Sequence, residues 1–112
     1  MFEHDNRFVR QAKYDYMTNS YYSYAVVISD KINWVKLYET NVKNGGDDFY
    51  AANALQYTEP IMVNLGYYKK YNGKCPVAEY LQPRIIQFKT NYRTIEEADR
   101  NISILKKTLT QV

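Results

Sequence analysis

Apolar residues recur at two different periods along this chain, and the switches between them mark its expected elements. Phe8, Val9, Ala12 and Tyr16 fall at helical spacing behind Asp5, a good N-cap residue, and Asn19-Ser20 closes the run, so a helix is expected over 6–18. From 21 to 28, Tyr22, Tyr24, Val26 and Ile28 alternate with Ser23 and Ala25, the two-residue period of a strand. Ser29-Asp30-Lys31 is turn chemistry. The stretch 32–39, with Trp34, Val35, Leu37 and Tyr38, then reads in two ways. It fits an antiparallel return strand, and it equally fits a helix capped by Ser29 along Ile32, Val35, Tyr38 and Val42.

Asn44-Gly45-Gly46 is the clearest loop, since adjacent glycines free the backbone and Asn tolerates left-handed angles. Asp47 or Asp48 then caps a short expected helix carrying Phe49, Ala52 and Leu55, which must end before Pro60. Ile61, Val63, Leu65 and Tyr67 alternate with Met62, Asn64, Gly66 and Tyr68, and Asn72-Gly73 is a strong hairpin signal, so strands are expected near 61–70 and 75–80. Pro76 and Pro83 place the return strand at an edge or a bulge. One more strand is expected over 84–90, with Ile86 and Phe88 on one face.

The C-terminal stretch predicts a helix most directly. Thr94-Ile95-Glu96-Glu97 matches a capping box, and Ile95, Ala98, Ile102, Leu105, Leu109 and Val112 follow at spacings of three and four. Glu96, Glu97 and Asp99 near its start and Lys106 and Lys107 near its end complement the helix dipole. Together these elements predict an α+β fold. An antiparallel sheet of four to five strands packs against a C-terminal amphipathic helix, helped by an N-terminal helix, in one domain spanning 1–112.

Composition and charge narrow the function classes. The chain of 112 residues holds 13 tyrosines but one histidine and one cysteine, so its specialisation lies in phenol rings and not in titrating or metal-binding groups. Part of that excess has a bland source, because Tyr, Asn, Lys and Ile are all favoured by AT-rich codons. A net charge of +3 permits nucleic acid as a partner without indicating it. Cys75 alone forms no internal disulfide, and no charged-then-apolar leader is present, so a cytoplasmic location is expected. The longest apolar stretch, 24–28, is far too short to cross a bilayer. No Walker, GxSxG, EF-hand or glycine-rich phosphate motif occurs. No cofactor and no metal is expected, and catalysis is disfavoured.

Two aromatic groupings are candidate partner-binding surfaces. Tyr67, Tyr68, Lys69, Lys70, Tyr71 and Lys74 interleave rings and ammonium groups on the expected hairpin, an arrangement that suits stacking on single-stranded nucleic acid as well as protein contact. Ordinary edge-strand Lys and Tyr explain the same stretch without any ligand. Tyr14, Tyr16, Tyr21 and Tyr22, with Trp34, form the second grouping, and burying all of these rings in the core is its competing account, one that requires a partner for every hydroxyl. The last helix satisfies a heptad for only about two and a half repeats, enough for a weak homodimer contact near Ile104 but better explained by packing on its own sheet. The expectation is a non-enzymatic binding protein whose foremost partner is another protein, of the kind phages and mobile elements encode as accessory proteins or inhibitors. Single-stranded RNA binding, or a metal-free ribonuclease of toxin type, are the alternatives.

Overall fold

Hydrogen bonding of Asp5 decides how the chain enters its sheet. In the computed structural model, which describes residues 2–49 and 54–112, the Asp5 carboxylate accepts from the Arg7 main-chain N–H at 3.0 Å and from the Arg7 guanidinium at 2.9–3.2 Å. This side-chain turn competes with helix formation. Arg7 Nη1 also donates to the main-chain oxygens of Leu109 and Val112, both at 3.2 Å. The expected helix over 6–18 is therefore replaced by strand β1, Phe8–Arg10, followed by irregular backbone to residue 23.

Strand β2, Tyr24–Ile28, lies where its alternation predicts and occupies the centre of a three-stranded antiparallel sheet in the order β1-β2-β3. β3 is Ile85–Phe88. The register sets Phe8 opposite Ile28, and Val26 opposite Ile86, on one face. That face meets Leu37, Leu105 and Leu109 in the core, with Phe2, Ile32 and Phe49 at its margins.

The ambiguous stretch after β2 is helix α1, Trp34–Lys43. Its N-cap is Asn33, whose side chain accepts from the Lys36 N–H at 2.9 Å, while Ser29 instead accepts from Lys31. Leu37 and Asn41 are buried and Trp34 and Tyr38 half-buried, so Val35 and Val42, two members of the expected stripe, face solvent. The helix ends at Asn44, and Gly45, at φ +85°, donates to the Val42 carbonyl. Asp47, Asp48 and Phe49 are not helical, and most of the short helix expected there falls on 50–53, outside the described residues.

Among the described residues the sheet has three strands and not four or five, because both expected strands between 61 and 80 are helices. After a 3-10 turn at Gln56–Thr58 come α2 (Pro60–Asn64), α3 (Tyr67–Tyr71) and α4 (Pro76–Leu81), then a second 3-10 turn at Gln82–Arg84. Pro60 and Pro76 occupy first helical positions, where the missing N–H costs nothing and the fixed φ favours a helix start. Gly66, at φ +81°, turns the chain from α2 into α3. Wound into a helix, the alternation sets Val63 about 200° from Ile61, on the face opposite the one that Ile61 and Leu65 share, so no single face can bury all three.

Helix α5, Ile95–Leu109, closes the core. Thr94 accepts from the Glu97 N–H at 3.2 Å, and the Glu97 carboxylate reaches one residue further back, accepting from the Arg93 N–H at 3.1 Å. A polar seam joins α1 to α5. Buried Asn41 donates to the Asp47 carbonyl at 2.9 Å and accepts from Thr108, while Asn44 donates to Thr108 and Gln111, both at 3.0 Å.

Candidate interaction surface

Residues 55–84 form an arm in which Tyr57 is the sole buried residue. Its phenol packs near Tyr68, with ring centroids 6.4 Å apart, and donates to Glu79 Oε1. The same carboxylate oxygen accepts from the main-chain N–H groups of Gly73 at 2.7 Å and Cys75 at 3.4 Å, so one side chain of α4 gathers the arm's turn. Loss of hydration, with the anionic Glu79 beside it, pushes the Tyr57 phenol up to about 12. The hydrogen bond from Tyr57 and those from the turn hold the Glu79 carboxyl below its ordinary value.

Outside that small knot most of the arm is exposed. Ile61, Leu65 and Val77 are 67 %, 65 % and 71 % exposed, and Val63 and Tyr80 also face solvent. Tyr67 and Tyr71, one helical turn apart on α3, stack with centroids 6.1 Å apart, and the Lys70 ammonium lies 5.1 Å from the Tyr71 ring. Tyr68, Lys69 and Lys74 are exposed beside them. The interleaved rings and charges lie on a helix and the turn after it, not on the expected hairpin. The i, i+4 spacing of Tyr67 and Tyr71 and the prolines at helix-start positions were the signals for this. The exposure of Ile61 and Leu65 escaped notice because the expected strand sets them together on one face, the face a sheet would bury.

The second tyrosine grouping occupies the irregular segment before β2. Tyr14 and Tyr16 are exposed and stacked at 5.4 Å. Tyr21 adopts φ +49°, a left-handed conformation uncommon outside glycine, and the Thr90 hydroxyl meets the carbonyls of Tyr21 and Tyr22 at 2.6 and 3.0 Å. Tyr22 is 91 % exposed. Trp34 stands apart from these rings, half-buried and stacked on Tyr38 at 5.4 Å, and its indole N–H has no hydrogen-bond partner among the described residues. Among the described residues no ring contact joins the two tyrosine groupings.

A third feature was not legible in the sequence. A cleft of about 390 Å³ opens between α5 and the Tyr24–Phe88 end of the sheet, lined by Phe2, Phe49, Ile102 and Lys89 among others. Lys89 pairs with Asp47 at 3.3 Å and Glu97 at 3.8 Å and lies 4.9 Å from the Tyr92 ring. Asp48 accepts from the Tyr38 hydroxyl at 3.3 Å, and its charge raises the Tyr38 phenol. Among the described residues no three His, Cys, Asp or Glu side chains gather as a metal site, and no helix is long and apolar enough to cross a membrane.

These features define an α+β chain with a three-stranded antiparallel sheet and an exposed aromatic arm. No family model matches the sequence, and neither the curated proteins nor the solved structures contain a match.

Proposed function

We propose that this chain is a non-enzymatic binding protein that engages another protein through the arm, acting in the cytoplasm as an accessory protein or inhibitor. The observation that carries the reading is the simultaneous exposure of Ile61, Leu65, Val77, Tyr80 and the Tyr67–Tyr71 stack on short helices that bury only Tyr57. Clustered exposed apolar and aromatic side chains are what partner surfaces consist of, and Tyr is among the residues enriched at binding hot spots. The Tyr14–Tyr16 stack and Tyr22 are a second adhesive area on the same grounds.

One observation favours a second reading, single-stranded RNA. Lys69, Lys70 and Lys74 form no ion pair among the described residues and flank the stacked rings. Capture from nuclease-treated lysate by the wild type and by Tyr67→Ala/Tyr71→Ala separates the two. Under the protein reading the wild type retains a specific protein after nuclease, the double variant loses it, and its melting temperature stays near the wild-type value. Capture that vanishes with nuclease, or binding that weakens steeply with salt through the three lysines, moves the assignment to RNA.

A further inference from the structure

The apolar stripe of α5 is only half used. Leu105 and Leu109 are buried, whereas Ile102 is 41 % exposed and Ile95 more so. On the facing sheet, Tyr24 and Phe88, cross-strand partners at the end of β2 and β3, are likewise only partly buried. The cleft is the space between these two unfinished surfaces, and its volume falls within the range of small-molecule sites while well exceeding the roughly 150 Å³ that holds one benzene. Its floor is aromatic, with Phe88 meeting Phe2 at 5.4 Å and Phe49 at 5.2 Å.

The charges at the rim select among ligands. Lys89 is neutralised by Asp47 and Glu97, and Arg10 stands 3.9 Å from Glu3. Asp48 has the Tyr38 hydroxyl and no basic partner among the described residues, so the unbalanced charge at this cleft is negative. Aromatic faces add a negative electrostatic potential, which also favours a cation. We propose that the cleft binds a small organic cation carrying a flat apolar ring, the ring entering between Ile102 and Phe88 and the cationic group meeting Asp48. The site uses none of the arm's residues, so it stands whether or not the arm binds a protein.

Three probes sharing one ring test this: tryptamine, indole and indole-3-acetate, titrated into the full chain by heteronuclear NMR. Tryptamine is expected to bind about fivefold more tightly than indole, the scale of a partly exposed ion pair, and indole-3-acetate more weakly than either. Asp48→Asn brings tryptamine down to the level of indole and leaves indole unchanged. Ile102→Trp, at a half-exposed position, fills the cleft and weakens indole and tryptamine more than tenfold. Tyr67→Ala/Tyr71→Ala changes neither. The proposal is overturned if tryptamine fails to bind at millimolar concentration, if indole-3-acetate binds as well as tryptamine, if Asp48→Asn leaves their ratio intact, or if the shifted resonances lie away from Tyr24 and Phe88.

Discussion

The sheet with α1 and α5 and the arm of α2 to α4 are both rich in large apolar residues, yet they dispose of them in opposite ways. In the first, Val26, Ile28, Leu37, Ile86, Leu105 and Leu109 converge on one interior because each element carries its apolar residues at its own natural period. In the second, a strand-like alternation is wound into short helices, and Ile61, Val63 and Leu65 are dispersed to solvent. Apolar content therefore says little about where a core lies. Agreement between period and conformation decides it, and its absence leaves a surface free for contact.

Four substitutions break or sharpen that contrast. Leu37→Ala, at a fully buried position, is expected to cost about 2–5 kcal/mol in chemical denaturation. Leu65→Ala in the same assay stays within about 0.5 kcal/mol of the wild type. Comparable losses at the two sites would abolish the distinction. Asn41→Ala removes the donor to the Asp47 carbonyl and the acceptor for Thr108, a loss of about 1–3 kcal/mol that should appear as a lower denaturant midpoint. Asp30→Asn removes the carboxylate that Arg84 pairs with at 2.6 Å beside the arm's C-terminal end. Asp30 is largely exposed, so less than about 1 kcal/mol is expected.

The arm also carries its own pH window. Glu79 has a lowered folded pKa, so its contribution is complete above the ordinary carboxylate range and fades as pH falls through the folded value. Tyr57 has a raised one, so its neutral phenol contributes fully below about 10 and the contribution fades as pH rises towards about 12. Amide hydrogen exchange in 67–81, corrected for intrinsic rates, should accelerate at both extremes before that of β2 and α5 does. Glu79→Gln should remove the acid limb. Simultaneous opening of arm and core would show that the two behave as a single cooperative unit.

What could be read from the sequence follows the same division. Helix α5 was legible because Thr94, Glu97 and the apolar stripe all specify one conformation, and β2 because its alternation ends in turn residues. β1 was hidden because a three-residue strand is specified by its partner in β2 and by Arg7 reaching Leu109 and Val112, contacts remote in sequence. In α1 the local pattern fits either conformation, and the Asn33 cap lay closer to the aromatic run than Ser29. The rings at Tyr67, Tyr68 and Tyr71 stood out by their interleaving with lysines, but their exposure, their aliphatic neighbours and Asp48's place at the cleft depend on tertiary arrangement that no local period encodes.

Gly66 joins α2 to α3 in a left-handed conformation with open space where a side chain would stand. Replacement by alanine would meet torsional strain but no collision. The bearing of the Tyr67–Tyr71 pair relative to the Ile61 and Leu65 row consequently turns on one backbone joint remote from the hydrophobic interior. A change at that pivot re-aims the exposed rings of the arm while the folded body stays as it is.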